Sequence, residues 1–467
     1  MPLVESFSGI RGIYNDELDK DVVKKYAIAY MKYLTRRYIN PKIVIGHDTR
    51  DSWNELLNAI FEVFDDAIYL GIATTPMIEL AVREYKRDGG IINTASHNEP
   101  EWNGLKFLDN DGAILSLKEM DEVIKNYKNH SEISGMKKVD GNAIVNRHTE
   151  ILDNYTCFVE KILGKKPLKE IVSSEIRFLM DPNGGAGILA IHILNKLGIK
   201  FDAINTQIGM FHRIIEPNES SLKVLQVLVK KTFELGFAFD CDADRVELVT
   251  KKGIVLGDYL LALCVDEALS NSNNPKKEYV VVNDATSGIV RWITKEHNAR
   301  YLESEVGEAN VVEKMDQYKS IIGGEGSSSG VIIFPSKCRD GILTMLYVLA
   351  IVSKRKKSIE EILGKYPRFF TLRNDLVIPP DSEDNLKEYL AKYYSEKGFK
   401  VKKLASIKVF IDANTFLWFR VSKTESNKLR IMADSMDKAK AEDLLSNAYT
   451  IVDKYAKGLN NVKEGLK

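Results

Sequence analysis

One local pattern recurs three times along this chain: an apolar strand runs into an Asp-containing turn that opens a helix, at residues 43–50, 178–185 and 280–286. A loop of unusual composition follows each occurrence, at residues 94–98, 240–245 and 323–330 in turn. Short apolar strands that alternate with amphipathic helices are typical of βαβ units. We therefore predict three similar α/β domains with mixed sheets, each contributing one loop to a common site. Because such turns are common, chance similarity is the alternative.

The last hundred or so residues have a different pattern. Apolar and polar residues alternate from Ser406 to Val421 around a turn at residues 412–414, which predicts a hairpin. A third strand is predicted over residues 429–433 and a helix over about residues 436–456. This segment is therefore predicted to be an α+β domain. The predicted domains span residues 1–147, 148–253, 254–368 and 369–467.

The charge balance excludes one class of partner. The 467 residues include 66 Lys and Arg and 66 Asp and Glu, so no net charge attracts nucleic acid or an anionic membrane. We expect no nucleic-acid partner and no membrane partner. An anionic substrate must be bound by local positive charge.

The cellular compartment is predicted from what the chain lacks. Its first residues have neither the basic nor the apolar region of a signal peptide. The longest uncharged run, residues 341–353, is too short to cross a bilayer as a helix. The four cysteines form no CxxC pair, so we expect reduced thiols in a cytoplasmic protein: Cys157, Cys241, Cys264 and Cys338.

The first unusual loop presents a serine among polar and cationic neighbours. Ser96 follows the apolar pair Ile91 and Ile92, which reads as a buried strand end. The carboxyl ends of strands are where α/β proteins place reacting groups. Serine needs activation to act as a nucleophile, and His97 and Lys106 lie close in sequence. A loop serine that caps the next helix is the alternative.

The second loop carries three carboxylates in one turn, Asp240, Asp242 and Asp244. Such groups repel one another unless a cation compensates them, and oxygen-only ligands favour Mg²⁺ over Zn²⁺. An EF-hand is excluded because Arg245 and Lys251 occupy its sixth and twelfth positions. A solvated acidic turn is the alternative, but the apolar flanks on both sides predict burial. We predict a metal site.

The turn after the predicted hairpin combines phosphate-binding side chains. Arg420, Ser422 and Thr424 lie within five residues of one another, in a turn that also offers main-chain N–H groups. Together they form a candidate phosphate site. An exposed polar hairpin end is the alternative.

Taken together, these motifs resemble those of the α-D-phosphohexomutases, the family of phosphoglucomutase, phosphomannomutase and phosphoglucosamine mutase. Residues 94–98 resemble the phosphoserine loop, residues 8–12 with Arg11 the N-terminal active-site turn, and residues 103–107 the segment with a catalytic lysine, Lys106. The other matches are Asp240, Asp242, Asp244 and Arg245 in the magnesium loop, Glu325 and Ser327 in the sugar-binding loop, and Arg420, Ser422 and Thr424 in the phosphate-binding loop.

The resemblance implies a fold and a reaction. The fold is four domains around a central cleft, the fourth related to TATA-binding-protein-like folds. Phosphorylated Ser96 would move a phosphoryl group between O1 and O6 of glucose or mannose phosphates through a hexose 1,6-bisphosphate. One Mg²⁺ per active site would be held by Ser96 and the three aspartates. Arg11 and Lys106 are the candidates for proton transfer, with His97 and Arg245 as further catalytic residues.

The expected partners are small-molecule hexose phosphates, and the expected assembly is a monomer or homodimer. Phosphoglucosamine mutase is the alternative activity within the family. Outside it, a metal-dependent phosphatase and a non-catalytic sugar-phosphate-binding protein are the other classes. Retention of the serine, the aspartates and the lysine favours the mutase.

The chain departs from the family pattern in three loops. Cys241 replaces a usual Gly in the magnesium loop, and Ser328 and Ser329 replace a Gly-His pair in the sugar-binding loop. In the phosphate-binding loop Lys423 replaces Gly or Asn, and Ser426 with Asn427 replaces a single Pro. All three metal ligands remain, as do Arg420, Ser422 and Thr424, but the added residue leaves the geometry of the phosphate-binding loop open.

Overall fold

The computed structural model describes residues 3–6, 8–64, 66–129, 144–380, 382–422 and 427–464. The described residues form four sheets in succession along the chain. The first three sheets mix parallel and antiparallel strands, and the fourth is antiparallel.

The first α/β unit contains β1 (Val4–Ser6), β2 (Gly9–Ile13), α1 (Lys20–Thr35), β3 (Ile43–His47), α2 (Trp53–Phe61), β4 (Ala67–Ile72), α3 (Thr75–Glu84), β5 (Gly89–Asn93), β6 (Trp102–Leu108), α4 (Leu117–Lys128) and β7 (Val145–Asn146). Its sheet has the order β1-β2-β6-β5-β3-β4-β7. Both β3 and β5 are buried along their whole length, as parallel strands covered on two faces must be.

The second unit contains α5 (His148–Leu163), α6 (Lys165–Ser173), β8 (Phe178–Asp181), α7 (Ala190–Lys196), β9 (Asp202–Ala203), α8 (Lys223–Lys231), β10 (Leu235–Phe239), β11 (Val246–Thr250) and β12 (Gly253–Val255). The sheet order is β12-β11-β10-β8-β9.

The third unit contains α9 (Gly257–Asn271), β13 (Tyr279–Asn283), α10 (Gly288–Glu296), β14 (Arg300–Ser304), α11 (Glu308–Tyr318), β15 (Ile322–Glu325), β16 (Gly330–Ile333), α12 (Gly341–Arg355) and α13 (Ile359–Leu363). The sheet order is β14-β13-β15-β16.

The three units share one strand arrangement. In each, a first strand (β3, β8 or β13) pairs in parallel with the next strand along the chain (β4, β9 or β14) and with a third strand (β5, β10 or β15). That third strand turns back into an antiparallel partner (β6, β11 or β16). The turn after the first strand and the loop of the hairpin therefore lie at the same edge of each sheet. These hairpin loops are the three unusual loops of the sequence.

The fourth domain contains β17 (Phe370–Val377), α14 (Glu383–Glu396), β18 (Lys400–Lys403), β19 (Ile407–Asp412), β20 (Thr415–Val421), β21 (Lys428–Ser435) and α15 (Lys438–Glu464). The sheet order is β17-β21-β20-β19-β18. The predicted hairpin and third strand are β19, β20 and β21, and the predicted helix is α15, which starts two residues later than expected and runs further. Two strands, β17 and β18, and the helix α14 were not predicted.

The fourth domain is fixed to the third unit by buried polar contacts. Lys408, 1% exposed, donates to the main-chain oxygen of Asp284 at 2.8 Å and to Glu303 at 2.7 Å. Asp434 accepts from Ser287 Oγ at 2.6 Å and from the Gly288 N–H at 2.9 Å, at the start of α10. An apolar cluster joins the same two parts: Ala285, Phe416, Trp418 and Met432. Separating the two domains would leave these buried polar groups without hydrogen-bond partners, which is energetically costly.

The predicted fold class is confirmed: three similar α/β units with mixed sheets, followed by a C-terminal α+β domain, surround one cleft. A continuous apolar core runs through the first three units, while the fourth domain has a core of its own.

Candidate active site

The serine loop and the acidic loop meet at a hydrogen bond between two parts of the chain that are far apart in sequence. Ser96 Oγ donates to Asp240 Oδ2 at 3.0 Å, and Ser96 is fully buried. His97 lies on the cavity side, with Nδ1 3.4 Å from Ser96 Oγ. The serine therefore lies directly beside the carboxylate cluster that was predicted to bind metal.

The three aspartates of the acidic loop are buried together. One oxygen each of Asp240, Asp242 and Asp244 lies within 4.8 Å of the others. Lys106 Nζ, from β6, donates to Asp242 Oδ2 at 2.6 Å and to Asp244 Oδ2 at 3.0 Å. Arg339, which precedes α12, donates from Nη2 to Asp244 Oδ2 at 2.7 Å. The first and third units thus supply the cations that compensate the acidic loop of the second.

The same carboxylates keep oxygen atoms available. Asp242 Oδ1 and Asp244 Oδ1 are buried, and no residue in the described part of the chain donates a hydrogen bond to either. With Asp240 and Ser96 they form a set of oxygen donors alone, which suits a hard divalent cation. The residues present therefore fit a divalent metal site.

The pKa values of the basic residues around the cavity are shifted in different directions. Burial, and then the neighbouring Arg245, lower the pKa of Arg11 to about 10. Burial acts to lower the pKa of Lys106, but Asp242 and Asp244 outweigh it and raise that pKa. Arg245, followed by burial, depresses the pKa of His97 far below its usual range. The imidazole is therefore neutral at physiological pH.

The sugar-binding loop is tied to the acidic loop by one arginine. Arg339 pairs through Nη1 with Glu325 Oε2 at 3.1 Å, and through Nε with Glu308 at 2.6 Å, as well as with Asp244. The other oxygen of Glu325 accepts from Asn283 Nδ2 and from the Gly307 N–H, both at 2.9 Å. Glu325 is thus held in one orientation by the third unit itself.

These side chains line one cavity of 1120 Å³. Its walls include Arg11, His97, Lys106, Arg245, Glu325, Ser327 and Ser422, whereas Ser96 and the three aspartates lie buried behind them. Arg420 lines an adjoining cavity of 350 Å³ that shares Ser327, Ser422 and Arg430 with the first. The predicted phosphate-binding Thr424 lies outside the described residues.

Each of the three hairpin loops holds one non-glycine residue in the left-handed region: Ser96 at φ 52°, Ala243 at φ 53° and Ser329 at φ 52°. Side chains rarely adopt this conformation because it costs energy, and it persists only where surrounding contacts impose it. All three loops are therefore held in shape by their environment.

Two residues of the site were missed by the sequence analysis. Arg339 lies between Cys338, which contacts Glu79 of the first unit, and Asp340, which accepts a hydrogen bond from Tyr155 of the second unit. These two contacts place Arg339 where the three units meet. Arg430, on β21, is the cross-strand partner of Arg420. Two arginines directly opposite each other concentrate positive charge at this point of the sheet. The Asp340-Gly341 helix start was a usable signal for the position of Arg339, but not for its partners.

The departures in the magnesium and sugar-binding loops leave those loops in place, whereas Lys423 and Ser426 of the phosphate-binding loop lie outside the described residues. Cys241 is buried, with Sγ 3.8 Å from Thr49 Oγ1 of the first unit. Ser329 donates a hydrogen bond to Glu247 on β11, so the sugar-binding loop is linked to the hairpin of the acidic loop. Ser329 therefore forms an interdomain contact and is not among the residues that line the large cavity.

Comparison with known proteins then decides the family. Models of the phosphoglucomutase/phosphomannomutase α/β/α domains I, II and III match residues 5–134, 155–253 and 256–369. The chain belongs to this family. The fourth domain lies beyond these matches.

Similar proteins cover nearly the whole chain. A phosphoglucomutase/phosphomannomutase of Thermococcus kodakarensis is 29% identical, over 96% of this chain and 98% of its own length. A phosphoglucosamine mutase of Clostridium beijerinckii is 27% identical, with the same coverage. The crystal structure of a phosphoglucomutase/phosphomannomutase family protein from Burkholderia thailandensis has a TM-score of 0.82 at 22% identity, and covers 98% of both chains. That of a putative phosphomannomutase from Thermus thermophilus has a TM-score of 0.77 at 23% identity, over 97% of this chain and 99% of its own.

The predicted family is confirmed, and with it the enzyme class, an intramolecular phosphotransferase. Of the predicted partners, sugar phosphates follow from the family. Among the described residues, no helix has the length and apolar character needed to cross a membrane.

The link between Glu247 and Ser329 predicts a pH dependence of stability. Burial raises the pKa of Glu247 from 4.5 to about 7, against the opposing effects of Ser329 and Arg245. A carboxyl with a raised pKa in the folded state contributes stability at low pH that is lost as the pH rises from 4.5 through 7. We expect Glu247→Gln, which cannot ionise, to gain stability relative to the unmodified protein between pH 5 and pH 8.

Denaturant unfolding at both pH values measures this difference, with the exposed Glu219→Gln as the control. An equal difference between Glu247→Gln and the unmodified protein at the two pH values would contradict the prediction.

Proposed function

We propose that this enzyme moves a phosphoryl group between O1 and O6 of glucose and mannose phosphates, through phosphorylated Ser96 and a hexose 1,6-bisphosphate. The observation that carries the proposal is the position of Ser96 Oγ, 3.0 Å from Asp240 and next to a cavity lined by cations. Family membership supports the same reaction class.

The residues around Ser96 have the properties that phosphoryl transfer needs. This reaction depends mainly on the placement of the reactants and on positive charge around the transferred group. Arg11, Lys106 and Arg245 supply that charge from the cavity wall. Of the two candidates for proton transfer at the sugar hydroxyl, Arg11 has the pKa that is moved toward neutrality, to about 10. The neutral His97 imidazole offers a hydrogen bond beside Ser96 without adding charge.

Mg²⁺ is the proposed metal, with one ion per active site, and Asp240, Asp242, Asp244 and Ser96 would hold it. The buried Oδ1 atoms of Asp242 and Asp244, to which no described residue donates a hydrogen bond, support this assignment. When bound, the ion would stabilise negative charge on the transferred phosphoryl group.

The phosphate that does not react would bind at the fourth domain. Arg420 and Ser422 are the proposed ligands, and the cavity that they line adjoins the large one, with which it shares Ser422. The opposed arginines Arg420 and Arg430 support an anion at this position. Thr424 stays a sequence prediction.

Glu325 and Ser327 are the proposed sugar-binding residues, which would bind hydroxyls shared by glucose and mannose. The paired Glu325 carboxylate lies in the cavity wall with Ser327 beside it. A second candidate substrate is glucosamine phosphate. It is favoured by the relatives named phosphoglucosamine mutase, from Clostridium beijerinckii and, as a probable one at 29% identity, from Pyrococcus abyssi.

The surroundings of Ser96 argue against the two other classes. A phosphatase must admit water to the phosphoserine, whereas residues of all four domains enclose the cavity beside Ser96, and exclusion of water favours transfer over hydrolysis. A protein that only binds sugar phosphates needs no buried serine beside three carboxylates. We further propose that the enzyme is cytoplasmic and acts as a monomer or homodimer.

Ser96 should carry phosphate in a fraction of the purified protein. Intact-mass and peptide analysis locate the modification, and Ser96→Ala should lower kcat by about 10³-fold or more because the nucleophile is lost. Stable phosphate on another residue, or full mutase activity in Ser96→Ala, would show that the nucleophile is misassigned.

Activity should require a divalent cation. Chelation should abolish turnover and added Mg²⁺ should restore it. Asp242→Asn should lower kcat/KM by about 100-fold or more, with an unchanged circular dichroism spectrum. The exposed Asp384→Asn is the matched control. Unchanged turnover after exhaustive chelation would rule out the metal.

Glucose and mannose phosphates should be used with similar efficiency. No residue of the loop at 324–329 is an obvious hydrogen-bond partner for the substituent at C2 of the sugar, where glucose and mannose differ. Strong discrimination between substrates needs a polar group of the protein that the wrong substrate leaves unpaired. The measurement compares kcat/KM for glucose, mannose and glucosamine 1-phosphates on one preparation. An advantage of more than about tenfold for glucosamine phosphate, or about 1.4 kcal/mol, would identify the enzyme as a phosphoglucosamine mutase.

A further inference from the structure

Arg50 is the largest fully buried side chain of the first unit and does not line the cavity. It lies in the turn after β3, directly beneath the serine loop. Its charge is balanced by Asp48, whose Oδ2 lies 3.0 Å from Arg50 Nε. Because Arg50 is fully buried, its other N–H groups also need hydrogen-bond acceptors within the protein.

All of them donate to main-chain carbonyls between Ser96 and Trp102, which cover the serine loop and the first residue of β6. Nη2 donates to the carbonyl oxygens of Ser96 at 2.9 Å and Asn98 at 2.6 Å. Nη1 donates to those of Glu99 at 2.6 Å and Trp102 at 3.0 Å. A guanidinium has five N–H donors in a rigid plane, and with Asp48 all five are used.

The Asp48 carboxylate is also connected to Ser96 through the hydroxyl of Thr94. Thr94 Oγ1 donates to Asp48 Oδ2 at 2.6 Å and accepts from the Ser96 N–H at 2.8 Å. Asp48 and Arg50 therefore fix both the N–H and the carbonyl of Ser96. This accounts for the left-handed conformation of Ser96, which side chains otherwise avoid.

The second unit contains a related pair, in which Asp181 lies at the equivalent turn but its arginine partner comes from 32 residues later in the chain. Arg213 Nε pairs with Asp181 Oδ2 at 2.9 Å, and Nη2 donates to the carbonyl of Phe239 at 2.8 Å, immediately before the acidic loop. An Asp–Arg pair thus binds the main chain of the hairpin loop in the first unit and of the strand end before that loop in the second.

We propose that Arg50 is a positioning residue for phosphoryl transfer, a role that rests on the function proposed above. It fixes the main chain of residues 96–102 so that Ser96 Oγ stays beside the acidic loop. Lysine retains the charge but offers one ammonium with three donors in place of the planar fork. The Arg50→Lys variant is therefore expected to keep the fold and loosen the loop.

The experiment measures amide hydrogen exchange and steady-state kinetics of Arg50→Lys in the full chain. We expect exchange at residues 96–102 to become at least about tenfold faster while the rest of the first unit is unchanged. We expect kcat to fall by about 10- to 100-fold, the scale of a small misplacement of the reacting group, with KM within about twofold.

Two variants with the same substitution serve as comparisons. Arg213→Lys should speed exchange in the acidic loop, residues 240–244, and leave residues 96–102 unchanged. Arg37→Lys, just after α1, removes a guanidinium that donates to the Tyr33 carbonyl and pairs with Glu122 away from the cavity lining, and should change neither loop. If Arg50→Lys does not fold, Thr94→Val removes only the hydroxyl between Asp48 and Ser96 and should give the same pattern at smaller amplitude.

Unchanged exchange at residues 96–102 in Arg50→Lys would overturn the proposal, and so would unchanged kcat. Faster exchange throughout the first unit, with kcat falling only in step with the folded fraction, would also overturn it, because that is the result of a purely structural role. An unmodified protein without mutase activity or phosphate on Ser96 would refute the proposed function, and the exchange contrast would still decide whether Arg50 fixes the loop.

Discussion

The mutual repulsion of three buried carboxylates in one turn is the constraint on which the rest of this structure depends. Asp240, Asp242 and Asp244 are compensated by Lys106 from the first unit and Arg339 from the third. Burial and the neighbouring carboxylates raise the pKa of Asp240. Burial acts in the same direction on Asp244, but Arg339 and Lys106 hold its pKa well below the usual range. Since leaving any of these charges unpaired would be costly, the acidic loop can be buried only when three units are assembled around it.

The two oxygens of Asp242 and of Asp244 have different surroundings, which explains how the same carboxylates can pair with the protein's cations and also bind a metal. Lys106 and Arg339 bind Oδ2 atoms, while the Oδ1 atoms of Asp242 and Asp244 receive no hydrogen bond from the described residues. The cations of the protein orient the carboxylates from behind, as outer contacts do in metal sites. Arg339 carries the same constraint onward to Glu325, so the metal-binding and sugar-binding parts of the site share one guanidinium.

The sequence predicted what is local and missed what depends on distant partners. The strand-turn pattern and the three loops were recognised because each is a continuous segment with its own chemistry. Arg50 and Arg339 were not assigned roles, because the carbonyls and carboxylates they bind come from segments far away in sequence. In the fourth domain β17 was missed because most of its residues are only partly buried or exposed, which leaves no regular apolar alternation. The assigned roles of the predicted site residues remain predictions, and Thr424 lies outside the described residues.

In the first two units, the residues that hold the main chain of the loops are different from the side chains that are proposed to react or to bind metal. Arg50 and Arg213 bind main-chain carbonyls, which any residue provides, so side chains in the loops can change without moving the backbone. Cys241 illustrates this, because the acidic loop keeps its three carboxylates together although the thiol replaces the usual Gly. In the third unit Asn283 holds the side chain of Glu325 itself, which ties that support to one residue. The sugar-binding loop is therefore the one in which a change at its central residue would alter both the support and the contact with substrate.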